Sequence, residues 1–288
     1  MPFAKALFAL LLLALLPSRG LGGLAPPPKL DVLVTSPWLA IVTSFVGGVN
    51  VSVRSVQEWN ADGDLTRRIR ARALQDMPPD TLIIAFDDRD ARSVGLPLEK
   101  YINYHRLYDL MPIDESRVDS FMSDPSVLPF IAQRVLTALA DWDPNGYPYY
   151  QRRLAEFQAR LYSSTLAGRQ ILKDKPVYDL TGHSWAMLCA AGCDVVRPSP
   201  EDWAAWSTWH GLDRLLSEVA RLTEAKFTVV IDCSSPRSIR AYLAAKPAVF
   251  TLARPVGDYT TFLHDQYLAL WSKMSERPLP PRGARRSY

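Results

Sequence analysis

Apolar residues recur along the chain in short runs and in stretches with helical spacing. Four stretches predict, in chain order, a strand, a helix and two further strands: Leu30 to Thr35, Trp38 to Val46, Val49 to Val56 and Thr81 to Phe86. The polar turn from Asn60 to Asp64 is expected to open a helix that carries Leu65, Ile69 and Ala73. Strands that alternate with helices are typical of a parallel sheet covered by helices.

The second half of the chain repeats this alternation after two helical stretches. One helix is predicted from Pro125, and a longer one follows Asp143 and runs to about Leu172. Strands and helices alternate again from Val177 onward. The pattern therefore predicts an α/β fold of two lobes, each a mostly parallel sheet covered by helices. The predicted parts are an N-terminal lobe at 30–145, a linker helix at 146–172 and a C-terminal lobe at 173–276.

The N-terminus has the layout of a secretory signal peptide. Lys5 precedes an unbroken apolar run from Ala6 to Leu16, and Pro17 to Gly20 end it. The run is shorter than the roughly 20 apolar residues that a spanning helix needs, so cleavage is favoured over anchoring. Residues 1–25 are predicted to be removed. A cleaved signal peptide predicts a periplasmic protein. Since the first cysteine is Cys189, no lipid-acceptor cysteine follows the apolar run, and a lipoprotein is not expected.

Composition narrows the classes of function. The chain has 33 basic and 30 acidic residues, and the basic residues are scattered, which argues against nucleic acid as a partner. Cys189, Cys193 and Cys233 make an odd count, so one internal disulfide at most can form. No nucleophile elbow or ordered triad is visible, and an enzyme is not expected. The Pro- and Arg-rich tail, 277–288, is predicted to be disordered.

Four segments carry a family resemblance. The most specific is Asp143 to Leu161, with an Asp-Pro pair, an aromatic pair and a spaced Phe and Leu. Leu33 to Gly48, Val229 to Ala244 and Asp258 to Met274 follow the order of a first strand and helix, a late strand with a Ser-Pro turn, and a closing helix. In this order the chain resembles the zinc- and manganese-uptake solute-binding proteins of ABC transporters. The resemblance implies two lobes joined by one long rigid helix, a ligand clamped in the cleft, a monomer, and a permease partner in the inner membrane.

The resemblance also implies four metal-ligand positions, commonly three histidines and one carboxylate. Of these histidines only the third is retained, as His183. The first position falls on Asp64, the second on Ser120 with Asp119 beside it, and the fourth on Arg254. We therefore expect one divalent metal ion, zinc or manganese, with His183, Asp64 and Asp119 as ligands. Ser120 and Arg254 are expected to contribute to ligand binding.

Alternatives remain open at each position. His183 could be a capping or core histidine, and a Gly-Asp pair at Asp64 is also what an ordinary N-cap looks like. Arg254 could recognise a carboxylate or phosphate, neutralise Asp64 or Asp119, or lie in solvent. His183 and Met187 with the nearby cysteines would form a soft ligand set that suits copper, which is less favoured.

Two further alternatives concern surfaces and function. Trp203, Trp206 and Trp209, spaced three apart, could pack on the second lobe or form a docking patch. The function expected is capture of a metal ion or metal chelate for an ABC transporter. The alternative is an accessory or chaperone-like interaction protein on the same fold that has lost metal binding.

Overall fold

A computed structural model of the protein describes residues 29–111 and 118–276. The predicted signal peptide, 1–25, and the predicted disordered tail, 277–288, lie outside the described residues. Within the described ranges, no helix is both long enough and apolar enough to cross a membrane.

The first lobe is built on a parallel sheet. Its elements are, in chain order, β1 (Leu30–Val34), α1 (Pro37–Gly47), β2 (Val51–Ser55), β3 (Gln57–Trp59), β4 (Leu65–Arg67), α2 (Ala71–Asp76), β5 (Leu82–Ala85), α3 (Asp88–Ser93), β6 (Tyr104–Arg106), α4 (Val118–Met122) and α5 (Leu128–Trp142). Four strands pair in the order β2-β1-β5-β6, and every pair is parallel. The two central strands, β1 and β5, carry consecutive buried apolar residues because helices cover both faces of the sheet.

The prediction that a helix begins directly after the Asn60 to Asp64 turn is wrong. Leu65–Arg67 instead pairs antiparallel with Gln57–Trp59, and the helix begins only at Ala71. The Asn60 Oδ1 atom accepts hydrogen bonds from the backbone nitrogens of Asp62 and Asp64, both at 2.9 Å. This local bonding stabilises a tight turn in place of a helical first turn.

A single long helix connects the lobes. α6 (Tyr147–Leu172) has 26 residues, which corresponds to a length of about 39 Å at 1.5 Å per residue. Pro148 lies in its first turn, where proline removes no helical hydrogen bond. Gly168 lets the helix approach Tyr267, because a Cβ atom there would lie 2.4 Å from the Tyr267 ring.

The second lobe repeats the topology of the first. Its elements are β7 (Pro176–Asp179), α7 (Trp185–Ala190), β8 (Asp194–Val196), α8 (Pro200–Ser207), α9 (Leu212–Glu224), β9 (Thr228–Ile231), α10 (Arg237–Leu243), β10 (Val249–Thr251) and α11 (Tyr259–Ser275). Its strands pair in the parallel order β10-β9-β7-β8. In both sheets the first and third strands of the parallel set are neighbours (β1 with β5, β7 with β9), and their carboxyl ends form the edge where α/β proteins bind ligands.

The lobes share one continuous apolar core. A single cluster of buried residues runs from Val34 in the first sheet through Phe157 of the linker helix to Tyr267 and Val230 in the second lobe. Because packed interiors resist deformation, this core limits how far the lobes can move apart. The predicted fold, two parallel-sheet lobes joined by one long helix, is confirmed.

The tryptophan cluster divides between two environments. Trp206 is buried in a C-lobe apolar cluster and Trp203 packs against that cluster. Trp209 is 54% exposed, since α8 ends at Ser207 and Trp209 follows with a positive φ of 65°. Packing therefore accounts for two of the three rings.

Candidate ligand-binding site in the interlobe cleft

A small cleft lies between the lobes, at the carboxyl ends of the C-lobe strands β7 and β9. The side chains that line it come from both lobes and include Trp38, Trp59, Asp119, His183, Asp232 and Arg254. Its volume is about 40 Å³, far below the roughly 300–1,000 Å³ of pockets that hold organic ligands. The space is suited to an ion with a small number of waters.

Asp119 and His183 meet across this cleft. Asp119 lies on α4 of the N-lobe, and its Oδ1 atom accepts a hydrogen bond from Trp38 Nε1 at 2.7 Å. Its Oδ2 atom lies 3.9 Å from His183 Nε2 in the C-lobe. Ser120 Oγ is 3.0 Å from His183 Nδ1 on the other side of the ring. Ser120 thus orients the imidazole so that Nε2 faces the carboxylate.

The surroundings of Asp119 oppose its ionisation. Burial raises the pKa of this carboxyl, and the negative charge of Asp232 raises it further. The hydrogen bond from Trp38 and the charge of His183 act in the opposite direction. A cation placed beside Asp119 would stabilise the ionised carboxylate and lower its pKa.

Asp232 is the site residue that sequence reasoning missed. It follows β9, is 3% exposed, and accepts hydrogen bonds from Gly182 N at 3.0 Å and Ser184 Oγ at 2.8 Å. The backbone nitrogen of His183 lies 3.4 Å from its Oδ2 atom. These bonds fix the loop that carries His183. A carboxylate directly after the buried run Thr228–Ile231 was the signal that could have revealed it.

Arg254 lines the cleft but is bonded to the opposite lobe. Its Nη1 atom donates to the backbone oxygen of Trp59 at 3.0 Å, and also to that of Asn60. These hydrogen bonds go to backbone carbonyls and not to Asp64 or Asp119, the carboxylates considered from the sequence. The guanidinium therefore connects the C-lobe to the N-lobe hairpin.

Asp64 does not line the cleft in which Asp119, His183 and Arg254 lie. It is exposed in the β3–β4 turn, where its carboxylate is 3.3 Å from Asn60 Nδ2. The structure thus brings together His183, Asp119, Ser120 and Arg254, while Asp64 is not among the residues that line the cleft. Among residues 29–111 and 118–276, no three His, Cys, Asp or Glu side chains are arranged to hold a metal ion. The metal ligands remain a prediction.

The three cysteines are free thiols. Burial raises the pKa of Cys193 to about 12 and also raises that of Cys233, which lines the cleft beside Ser234. Both thiols are therefore weak nucleophiles at neutral pH.

Comparisons with known proteins identify solved structures that share this fold. No protein-family model matches the chain, and no curated protein sequence matches it either. Among solved structures, ZnuA aligns with a TM-score of 0.60 and 17% identity over 85% of this chain and 98% of its own. The laminin-binding protein Lmb of Streptococcus agalactiae, described as an adhesin with metal-transporting activity, aligns with a TM-score of 0.61 and 16% identity over 85% of this chain and 100% of its own. A zinc-bound AdcAII variant of Streptococcus pneumoniae gives a TM-score of 0.60 and 14% identity over 86% and 100%. The protein has the two-lobed fold that ZnuA, Lmb and AdcAII share.

Proposed function

We propose that the protein is the periplasmic solute-binding component of an ABC transporter and captures a divalent metal ion, with no chemistry of its own. The observation that carries this proposal is the Asp119–His183 pair, in which one side chain from each lobe faces the other across a 3.9 Å gap. The shared fold supports it, because Lmb has metal-transporting activity and the AdcAII variant binds zinc. A permease in the inner membrane is the partner that this function requires.

The gap between the two side chains suits a single ion. With bonds of about 2.0–2.2 Å and a tetrahedral angle, zinc holds an imidazole nitrogen and a carboxylate oxygen about 3.4 Å apart, slightly closer than the 3.9 Å gap. An ion can therefore bridge Asp119 Oδ2 and His183 Nε2 without separating the lobes. An imidazole ligand favours zinc over manganese. Water would complete the coordination, and the positive charge of Arg254 makes the site weaker than one with four protein ligands.

Calorimetric titration with zinc, manganese and copper tests the proposal. His183→Ala and Asp119→Asn should each weaken zinc binding at least tenfold, since each removes one of only two protein ligands. His264→Ala is the matched control, because this histidine is exposed on α11, away from the cleft. Equal zinc affinity in the wild type and both site variants would show that Asp119 and His183 are not zinc ligands.

The subcellular location provides a second test. The protein should appear in the osmotic-shock fluid of cells and behave as a monomer in light scattering, because the proposed function needs a mobile carrier in the periplasm. Recovery with membranes that resists high salt would contradict this part of the proposal.

One observation favours a second function. Arg254 occupies the cleft wall, and the described residues present only two converging metal ligands. An accessory interaction protein that has lost metal binding would show this arrangement. Metal analysis of the purified protein separates the two functions: stoichiometric zinc supports the transporter component, and absence of binding to every tested metal supports the accessory protein.

A further inference from the structure

The turn between β3 and β4 crosses from the N-lobe to the C-lobe at the edge of the cleft. Three contacts hold it there. Arg254 donates to the backbone oxygens of Trp59 and Asn60, and Arg240 Nη2 lies 3.0 Å from Asp62 Oδ1. Gly63 packs so closely on Cys233 that a Cβ atom would lie 2.9 Å from its backbone and its Sγ atom.

The shape of this turn is formed locally, so the arginines are not needed to build it. Asn60 Oδ1 binds the nitrogens of Asp62 and Asp64, and Gly63 supplies the positive φ of 84° that the turn requires. The contacts from the C-lobe therefore determine where the turn lies and not what shape it has.

Both arginines are themselves well placed to hold the turn. Arg240, on α10, also donates from Nε to the backbone oxygen of Ser235 at 2.9 Å, and its side chain is 22% exposed. Hydrogen bonds from a partly buried guanidinium to a carboxylate or carbonyl are stronger than neutral ones.

Trp59 links the turn to the cleft. It is the last residue before the turn, lines the cleft, and contacts Trp38 edge to face, with ring centroids 5.3 Å apart.

We propose that Arg240 and Arg254 are specificity-determining residues: they latch the β3–β4 turn over the cleft, and the latched turn restricts the cleft to an ion-sized ligand. The identity of that ligand rests on the proposed function, whereas the latch itself rests only on the contacts between the lobes. Loss of the contacts made by both arginines would allow Trp59 to move and would enlarge the cleft beyond its volume of about 40 Å³.

Cys233 provides a native probe of the latch, because Gly63 covers it. The rate of iodoacetamide labelling of Cys233 would be measured by peptide mass spectrometry, with exposed Cys189 as the internal reference. The variants are Arg240→Met, Arg254→Met and the double variant, and Arg237→Met is the matched control. Arg237 is an exposed arginine one turn earlier on α10.

Labelling of Cys233 relative to Cys189 should rise about tenfold in the double variant, as expected for lost charge-assisted hydrogen bonds. It should not change in Arg237→Met. The direction is diagnostic, because loss of the Arg254 charge alone would raise the pKa of the Cys233 thiol and slow the reaction. Gly63→Ala should give the same rise without any change in charge. Unchanged labelling in the double variant and in Gly63→Ala would overturn the latch.

A ligand experiment tests the restriction in size. Free zinc and zinc citrate would be offered to the wild type and the double variant, and retained citrate would be measured by native mass spectrometry. Citrate retention by the double variant alone supports the restriction, and equal retention or exclusion in both proteins overturns it. If the wild type binds no zinc, the proposed function is refuted. The labelling experiment still tests the latch in that case, because it does not depend on zinc.

Discussion

The pH dependence of folding should report one buried carboxyl, Asp179, at the end of β7. Its Oδ1 atom accepts hydrogen bonds from Thr181 N at 2.9 Å and Thr181 Oγ1 at 2.6 Å, and its Oδ2 atom lies 2.9 Å from Arg197 Nε. Burial raises the pKa of Asp179 from 3.8 to about 6, although the bonds from Thr181 and the charge of Arg197 oppose this. The negative charge of Asp232 contributes to the increase.

The sign and size of the effect follow from this pKa. Because the folded state holds the Asp179 proton more tightly than the unfolded chain, the free energy of unfolding falls as the pH rises from about 4 to about 6. The increase in pKa from 3.8 to about 6 corresponds to about 3 kcal/mol. At pH 6 half of the folded molecules still hold this proton, so the loss becomes complete and constant only above about pH 7. In Asp179→Asn the side chain is neutral at every pH, so this part of the fall should disappear.

Urea titrations at intervals from pH 4 to pH 7.5 would measure the difference between variant and wild type. Between these limits the difference should move by about 2.5 kcal/mol in favour of Asp179→Asn, since at pH 4 part of the effect is already lost. A constant offset, such as the one from an amide facing Arg197, does not affect this comparison. Asp265→Asn, an exposed position on α11, is the control and should follow the wild type. Parallel pH profiles for Asp179→Asn and wild type would refute the reasoning.

Three further changes test other parts of the structure. Asp232→Asn should weaken zinc binding by about 10- to 100-fold, as changes behind a metal ligand do, and calorimetry at constant pH would measure the change; an unchanged affinity would show that the His183 loop holds its position without this carboxylate. Gly168→Ala should lower the unfolding free energy by about 1–3 kcal/mol, because its methyl group would collide with Tyr267; an unaltered thermal midpoint would mean that the two helices separate at little cost. Tyr150→Phe removes the 2.8 Å hydrogen bond to Asp143 at the start of the linker helix and should lower the free energy of urea unfolding by about 1 kcal/mol, and an increase would contradict a stabilising role for that bond.

The linker helix shows why much of the fold could be predicted from the sequence. Its apolar residues recur at helical spacing over seven turns, and Pro148 falls in the first turn, where it is tolerated. The β3–β4 turn shows where such prediction fails. A polar turn before Leu65 fits a helix start as well as a hairpin, and pairing with Gln57–Trp59 decides between them. That pairing is a contact between separate segments, which periodicity does not record.

The candidate site divides in the same way, between features set by local sequence and features set by contacts between distant segments. The sequence by itself determined the alternation of strands and helices, the continuous linker helix and the position of His183 at a strand-to-helix junction, because these depend on local spacing and burial. Only the tertiary structure decided that Asp119, and not Asp64, faces His183, that Asp232 fixes the loop beneath it, and that Arg254 bonds the backbone of the other lobe. Each of these results is a contact between residues far apart in the sequence, and the packing of the folded chain sets the distances between them.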